Sequence, residues 1–193
     1  AVDIGNTFIK YAVFKNNKII DSYRSHDVQK KDILNLIQTY SLERSIISSV
    51  RGQEEVRLLV ECLSGDVCIF SDKTKLPVSV KYNPKRQLGL DRIANLVGAI
   101  CKYPEKDILV IDAGTCITTD MMSMDKTHLG GSISPGLSMR YRALHEFTND
   151  LPHLSEKDDY TSIGDDTCSD IIAGVQSGVL SEIDAIIYNY KKE

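Results

Sequence analysis

Along residues 1–25, apolar and polar positions alternate in three short runs, at residues 1–3, 8–14 and 18–25, and a period of two predicts half-buried strands. Helical spacing follows over 30–40, then a strand over 45–50, a helix over 53–63 and a strand over 67–70, so the opening reads βββαβαβ. Beyond a connection holding Leu76-Pro77 and Asn83-Pro84, residues 93–101 place Ile93, Leu96, Val97 and Ile100 on one helical face. The order then restarts with strands over 108–112, 117–122 and 128–133 and a helix over 138–147. Residues 149–166 are polar, hold Pro152 and Gly164, and suit a surface excursion; helical spacing resumes over 168–190. The pattern predicts two duplicated α/β lobes, residues 1–105 with a linker helix and residues 106–193. A second copy of the first lobe would go on to strand, helix and strand, so the second lobe is expected to be truncated relative to a longer protein.

Each lobe opens on the same device. An apolar run ends in Asp-x-Gly, a small polar residue follows, and another apolar run begins: Asp3-Ile-Gly-Asn-Thr7 in the first, Asp112-Ala-Gly-Thr115 in the second. One copy alone is most often a hairpin turn, because Asn and Gly tolerate positive φ. Two copies, 109 residues apart, ask for more. A carboxylate ending an apolar strand costs desolvation unless a cation or donors attend it. The small residues beside it let backbone N–H groups approach phosphate oxygens. Two such hairpins facing one another across a cleft would bracket a polyphosphate and its metal ion. That arrangement resembles the actin, sugar-kinase and heat-shock chaperone ATPase superfamily with its ribonuclease H-like lobes. The competing phosphate loops G-x-x-x-x-G-K-[ST] and G-x-G-x-x-G are absent from the sequence.

Charge and cysteine usage narrow the partners. A net charge of −4 argues against a general nucleic-acid binder, and the densest basic cluster, Lys81, Lys85, Arg86 and Arg92, lacks repeated aromatics for stacking bases. The five cysteines are odd in number and form no C-x-x-C, which predicts buried free thiols in a reducing compartment. No apolar stretch approaches the roughly 20 residues that span a bilayer. A cytoplasmic protein with no membrane and no nucleic-acid partner is expected.

Between the two turns, Tyr82 precedes Gly89-Leu-Asp-Arg92. Asp91 stands just before a helical run and reads either as its N-cap or as a reactive carboxylate. Arg92 fits capping poorly, since a cation in a first helical turn opposes the macrodipole; an anionic partner gripped by the guanidinium fork, such as a substrate carboxylate, explains it better. The run Gly130-Gly-Ser-Ile-Ser-Pro-Gly136 leads from strand to helix, as a plain loop or as a close backbone approach to a ligand.

These four segments, in this order and spacing, resemble the type III pantothenate kinases over almost the whole chain. The resemblance implies ATP-dependent phosphorylation of pantothenate, the opening step of coenzyme A biosynthesis, by a homodimer that uses magnesium and a monovalent cation, potassium or ammonium. It implies that Asp3, Ile4, Gly5, Asn6, Thr7, Phe8, Ile9, Lys10 and Thr115 hold ATP, with Asp3 near magnesium and Asp112 on the monovalent cation. It further implies that Tyr82, Gly89, Leu90, Asp91, Arg92 and Thr167 meet pantothenate, with Asp91 in the place of the proton acceptor. Two departures stand out: Cys116 replaces a usual small residue, and the family's last strand-rich segment near the adenosine has no counterpart. The alternatives are a non-enzymatic accessory or regulatory binding protein of the same family and another small-molecule kinase of the superfamily.

Overall fold

The Asp3 turn closes one end of a hairpin in a five-stranded sheet. In the computed structural model, which describes residues 1–81 and 88–192, strands β1 (Val2–Ile4), β2 (Ile9–Lys15) and β3 (Lys18–Ser25) form an antiparallel meander. Asn16 and Asn17 take φ of 52° and 61°, the left-handed pair that a two-residue hairpin requires. The chain continues through α1 (Lys30–Tyr40), β4 (Arg44–Ser49), α2 (Gln53–Cys62) and β5 (Asp66–Ile69). β4 joins β1 in parallel and β5 joins β4, giving the order β3-β2-β1-β4-β5. Strand alternation puts Val2, Ile4, Ile9, Tyr11 and Ile47 on one face, where Ile33 of α1 and Leu59 of α2 complete the core. The opposite face carries Asp3 in register with Lys10 and Ser48, and Lys10 in register with Arg24.

The second sheet holds β6 (Ser79–Val80), β7 (Ile108–Ala113), β8 (Cys116–Met122) and β9 (Thr127–Pro135) in the order β6-β9-β8-β7, with β7, β8 and β9 an antiparallel meander. Helix α3 (Leu90–Lys102) precedes β7, and α4 (Leu137–Glu146) and α5 (Thr167–Tyr190) follow β9. The chain divides into two compact units, Ala1–Pro77 with Tyr82–Asn95, and Val78–Lys81 with Leu96–Glu193.

Several expectations change. α3 begins at Leu90 rather than 93, so Asp91 sits inside the first turn instead of capping it. The two-residue strand β6 is too short to leave a period in the sequence. The 149–166 excursion has no helix or strand, yet it is tied down: Leu151, Leu154 and Tyr160 pack on the cluster of Tyr141, Ile171, Ile172 and Val175. The Gln176 side chain also takes both backbone groups of Lys157, accepting from N–H at 2.8 Å and donating to C=O at 2.9 Å. The cysteines are free, but none is buried; Cys68, Cys101 and Cys168 are exposed, on strand and helix positions that face away from the apolar clusters. Finally, α5 is long and apolar enough to cross a membrane by length and composition, against the expectation that no stretch would be. Its buried residues Ile171, Ile172 and Val175 pack against α4 and the 151–160 segment, and 33% of its most apolar window is buried.

Candidate active site

In the first unit the turn at residues 5–8 joins β1 to β2 just past the Ile4–Ile9 pair. Gly5 N–H donates to Phe8 C=O at 3.0 Å, and a Cβ on Gly5 would stand 3.0 Å from that same oxygen, so a larger residue would push this carbonyl back by a few tenths of an ångström. Phe8 is held from outside by the His26 ring, 4.6 Å away, and the Arg24 guanidinium, 5.0 Å from its centroid. Asn6, Thr7 and Lys10 are exposed, whereas Ile4 and Ile9 are fully buried and offer a ligand only their backbone. Asp3 is half-buried on the face opposite the core, and the neighbouring Ser48 Oγ is enclosed with no hydrogen-bond partner among the described residues.

The residue that sequence reasoning missed here is Arg51, two positions past the end of β4. Its Nε donates to Gly5 C=O at 2.7 Å, one terminal nitrogen to Asn6 C=O at 3.1 Å, and the other to His26 C=O at 3.2 Å, while Glu55 lies 3.9 Å away. No motif marks it. The one available signal was the parallel register, which pairs Ile4 with Ser49 and so carries the chain past Gly5.

Gly89, Leu90, Asp91 and Arg92 lie together at the start of α3. Asp91 is exposed, and its Oδ1 accepts the Arg92 N–H at 2.8 Å; Ile93 N–H donates to Gly89 C=O at 3.0 Å, the first helical bond of that turn. A Cβ on Gly89 would come within 2.5 Å of Asp91 Oδ1, so the glycine leaves room for that carboxylate. Arg92 is only 6% exposed. The Tyr82 assignment lies outside the described residues.

In the second unit the corresponding turn is one residue shorter. Ala113 pairs with Ile117, and Gly114 N–H donates to Cys116 C=O at 2.9 Å. Asp112 pairs in register with Thr118, and its Oδ1 would lie 3.9 Å from a Cβ on Gly114. Gly136, the N-cap of α4, packs directly on this turn: its N–H donates to Thr115 C=O at 3.1 Å, and a Cβ there would stand 2.1 Å from Gly114 O. The end of β9 is steadied by Arg140, whose Nε donates to Pro135 C=O at 2.8 Å. Glu182 of α5 accepts hydrogen bonds from Arg140 and from Ser134 Oγ, and the Ser134 hydroxyl, then the guanidinium, hold its carboxyl below the usual carboxylate range.

Thr167 is the exposed first residue of α5, behind a capping box in which the Asp166 side chain accepts Ser169 N–H at 2.7 Å. That bond and the Ser169 hydroxyl hold the Asp166 carboxyl below its ordinary value. Thr167 lines a groove of about 850 Å³ between α4 and α5, together with Arg140, Phe147 and Asp170. Sequence reasoning also missed a buried pair across β8 and β9, Asp120 and His128, each 2% exposed with Oδ1 and Nε2 2.8 Å apart. Two adjacent strands hide both groups, and nothing in the spacing of residues 120 and 128 announces the contact.

Comparison with known proteins bears on the whole arrangement. A family model described as type III pantothenate kinase matches residues 1–189. A type III pantothenate kinase of Christiangramia forsetii is 39% identical over 194 residues, spanning 98% of this chain and 79% of its own. The type III pantothenate kinase of Phocaeicola vulgatus is 36% identical over 192 residues, spanning 99% of this chain and 79% of its own. In structure, a conserved Baf family protein from Campylobacter jejuni aligns over 95% of this chain and 77% of its own with a TM-score of 0.58 at 20% identity, a likeness of fold. The chain belongs to the type III pantothenate kinase family.

Proposed function

We propose that this chain transfers the γ-phosphoryl group of ATP to the primary hydroxyl of pantothenate, forming 4′-phosphopantothenate at the entry to coenzyme A biosynthesis. The observation that carries the reading is the family match over residues 1–189, which takes in both Asp-x-Gly turns and the Gly89–Arg92 segment whole.

Phosphoryl transfer needs positioning, neutralised charge and a group to accept the hydroxyl proton. The turn at 5–8 supplies backbone N–H groups and Lys10, with Arg24 beside Lys10 on the same sheet face, and this set suits a nucleotide's phosphates. Thr115 is assigned to ATP in the second unit. Magnesium usually takes one or two carboxylates and completes its shell with phosphate oxygens and water. Asp3 fits that role, and among the described residues no cluster of three or more His, Cys, Asp or Glu forms an all-protein cage. The enclosed Ser48 hydroxyl beside Asp3 supports a ligand on that face. Bound magnesium would offset charge on the transferring group. Asp112, two residues before Gly114 of the second turn, is assigned to a monovalent cation, potassium or ammonium.

Asp91 accepts the hydroxyl proton. The role is compatible with a carboxylate because the transition state is loose and proton transfer late. Its exposure and its bond to the Arg92 N–H aim it from the helix start. Arg92, Gly89, Leu90, Tyr82 and Thr167 are assigned to pantothenate, with Arg92 gripping its carboxylate. The lobes at 1–105 and 106–193 are duplicates, a reading supported by the repeated meander and by an Asp one residue before the end of each first strand. The protein acts in the cytoplasm as a homodimer, and the exposed Leu129, Ile133 and Phe147 of the second unit support self-association.

A coupled assay of ADP release, run with pantothenate and a panel of other alcohols, tests the reading. Turnover above background only with pantothenate is expected; equal turnover across the panel, or none with any acceptor, contradicts it.

A further inference from the structure

The turn at residues 5–8 is gripped by one side chain at its own carbonyl oxygens. Arg51 donates to Gly5 C=O and Asn6 C=O, with a third bond to His26 C=O, so three acceptors from two chain segments share one planar fork. The Arg51 side chain is half-buried, at 22% exposure, and Glu55 beside it balances part of its charge. A trans peptide unit is planar and carries its C=O and N–H on opposite sides. Drawing the carbonyls of Gly5 and Asn6 to one side therefore sends the N–H groups of Asn6 and Thr7 to the other, where both residues are exposed. Consecutive N–H groups turned the same way make an anion-binding concavity.

We propose that Arg51 is the positioning residue of this turn, acting on ATP through the backbone it orients rather than by touching the nucleotide. The inference rests on the reading above that the 5–8 turn holds phosphates. Without the fork, the two carbonyl oxygens are free to rotate toward the phosphates and repel them. A lysine keeps the charge but replaces a fork of planar donors with a single ammonium, and it cannot hold both carbonyls in one plane.

Calorimetric titration of the chain with MgATP tests this. Arg51→Ala is expected to weaken MgATP binding about tenfold, the scale of one or two hydrogen bonds to a charged group, and to leave the pantothenate KM within about twofold. Arg51→Lys is expected to recover only part of the loss. A structural brace alone would lower the melting temperature of Arg51→Ala and leave MgATP affinity at the parent value, which overturns the proposal. Full recovery by Arg51→Lys also overturns it, by showing that charge suffices. Should Arg51→Ala not fold, Arg51→Lys carries the test by itself, with weakened binding in support and parent-like binding against. Amide NMR of the parent separates the two levels: if the Asn6 and Thr7 signals do not move with MgATP, the phosphate reading of the turn fails and the Arg51 proposal with it. If they move while the variants bind as the parent does, only Arg51 is wrong.

Discussion

The two Asp-x-Gly turns look alike in sequence and are held by different means. The turn at 5–8 has four residues, closes with a bond from Gly5 N–H to Phe8 C=O, and is gripped through its carbonyls by Arg51 from a distant segment. The turn at 114–116 closes one residue sooner, from Gly114 N–H to Cys116 C=O, and is braced by backbone, with Gly136 packed onto it at the start of α4. Arg140 repeats the guanidinium-to-carbonyl contact, but on Pro135 of the adjoining strand end instead of on the turn. The longer turn is thus held by a side chain on its carbonyls, and the shorter one by a helix start packed against its backbone. On the proposed reading the first would meet phosphates and the second a cation.

The largest effect expected is on chemistry that neither turn performs. Asp91→Asn should lower kcat by about 10² to 10⁴ while MgATP affinity stays near the parent value, because general-base removal acts on turnover and not on nucleotide binding. Steady-state kinetics with separate calorimetry reads both quantities, and parent-like turnover would leave Asp91 with a helix-start role only. Next comes the brace of the second turn. A Cβ at Gly136 would stand 2.1 Å from Gly114 O, against 3.0 Å from Phe8 O for one at Gly5, so Gly136→Ala should harm its turn more than Gly5→Ala harms the other. Overpacking of this kind costs about 1–3 kcal/mol, or roughly tenfold to a hundredfold in kcat/KM if it is felt at the site. Equal losses in the two variants would erase the distinction between the braces.

Arg92→Lys should raise the pantothenate KM by about tenfold with little change for MgATP, since the ammonium keeps the charge and loses the fork. An unchanged KM would mean that buried Arg92 serves α3 alone. The smallest effect concerns pH. The folded carboxyl of Glu182 lies below its unfolded value, so it adds stability that is complete above the unfolded pKa, about 4, and is lost as pH falls through the folded one. Thermal unfolding of Glu182→Gln should therefore differ from the parent at neutral pH, and the difference should shrink as pH falls from about 4 through the lower folded pKa. A gap that persists in acid would show that packing of α5, and not this carboxylate, holds the end of β9.

The sequence made the elements legible because strand and helix periods survive wherever one face is buried. Ile93, Leu96 and Ile100 turned up buried as their spacing foretold, and the two meanders follow from their alternation. It also singled out Asp3, Asp112 and the Gly89–Arg92 segment, since a carboxylate after an apolar run or a cation at a helix start goes against local preference and stands out. What stayed hidden depends on pairing between distant strands. Arg51 reaches Gly5 only because β4 lies parallel to β1, and Asp120 meets His128 only across the β8–β9 register. The 149–166 segment is the surface excursion that its polarity suggests; what the composition left hidden is that Leu151, Leu154, Tyr160 and the Gln176 bonds to Lys157 tie it down.

The division of labour between the turns is tested most directly by a crossed titration of two variants, Asp3→Asn and Asp112→Asn, measuring the magnesium and the potassium needed for half-maximal kinase activity in each. The account predicts that Asp3→Asn raises the magnesium requirement about tenfold and leaves the potassium curve in place, and that Asp112→Asn does the reverse, since each substitution removes the full negative charge of its own turn. Both variants shifting both curves alike, or the two effects exchanged, would contradict it.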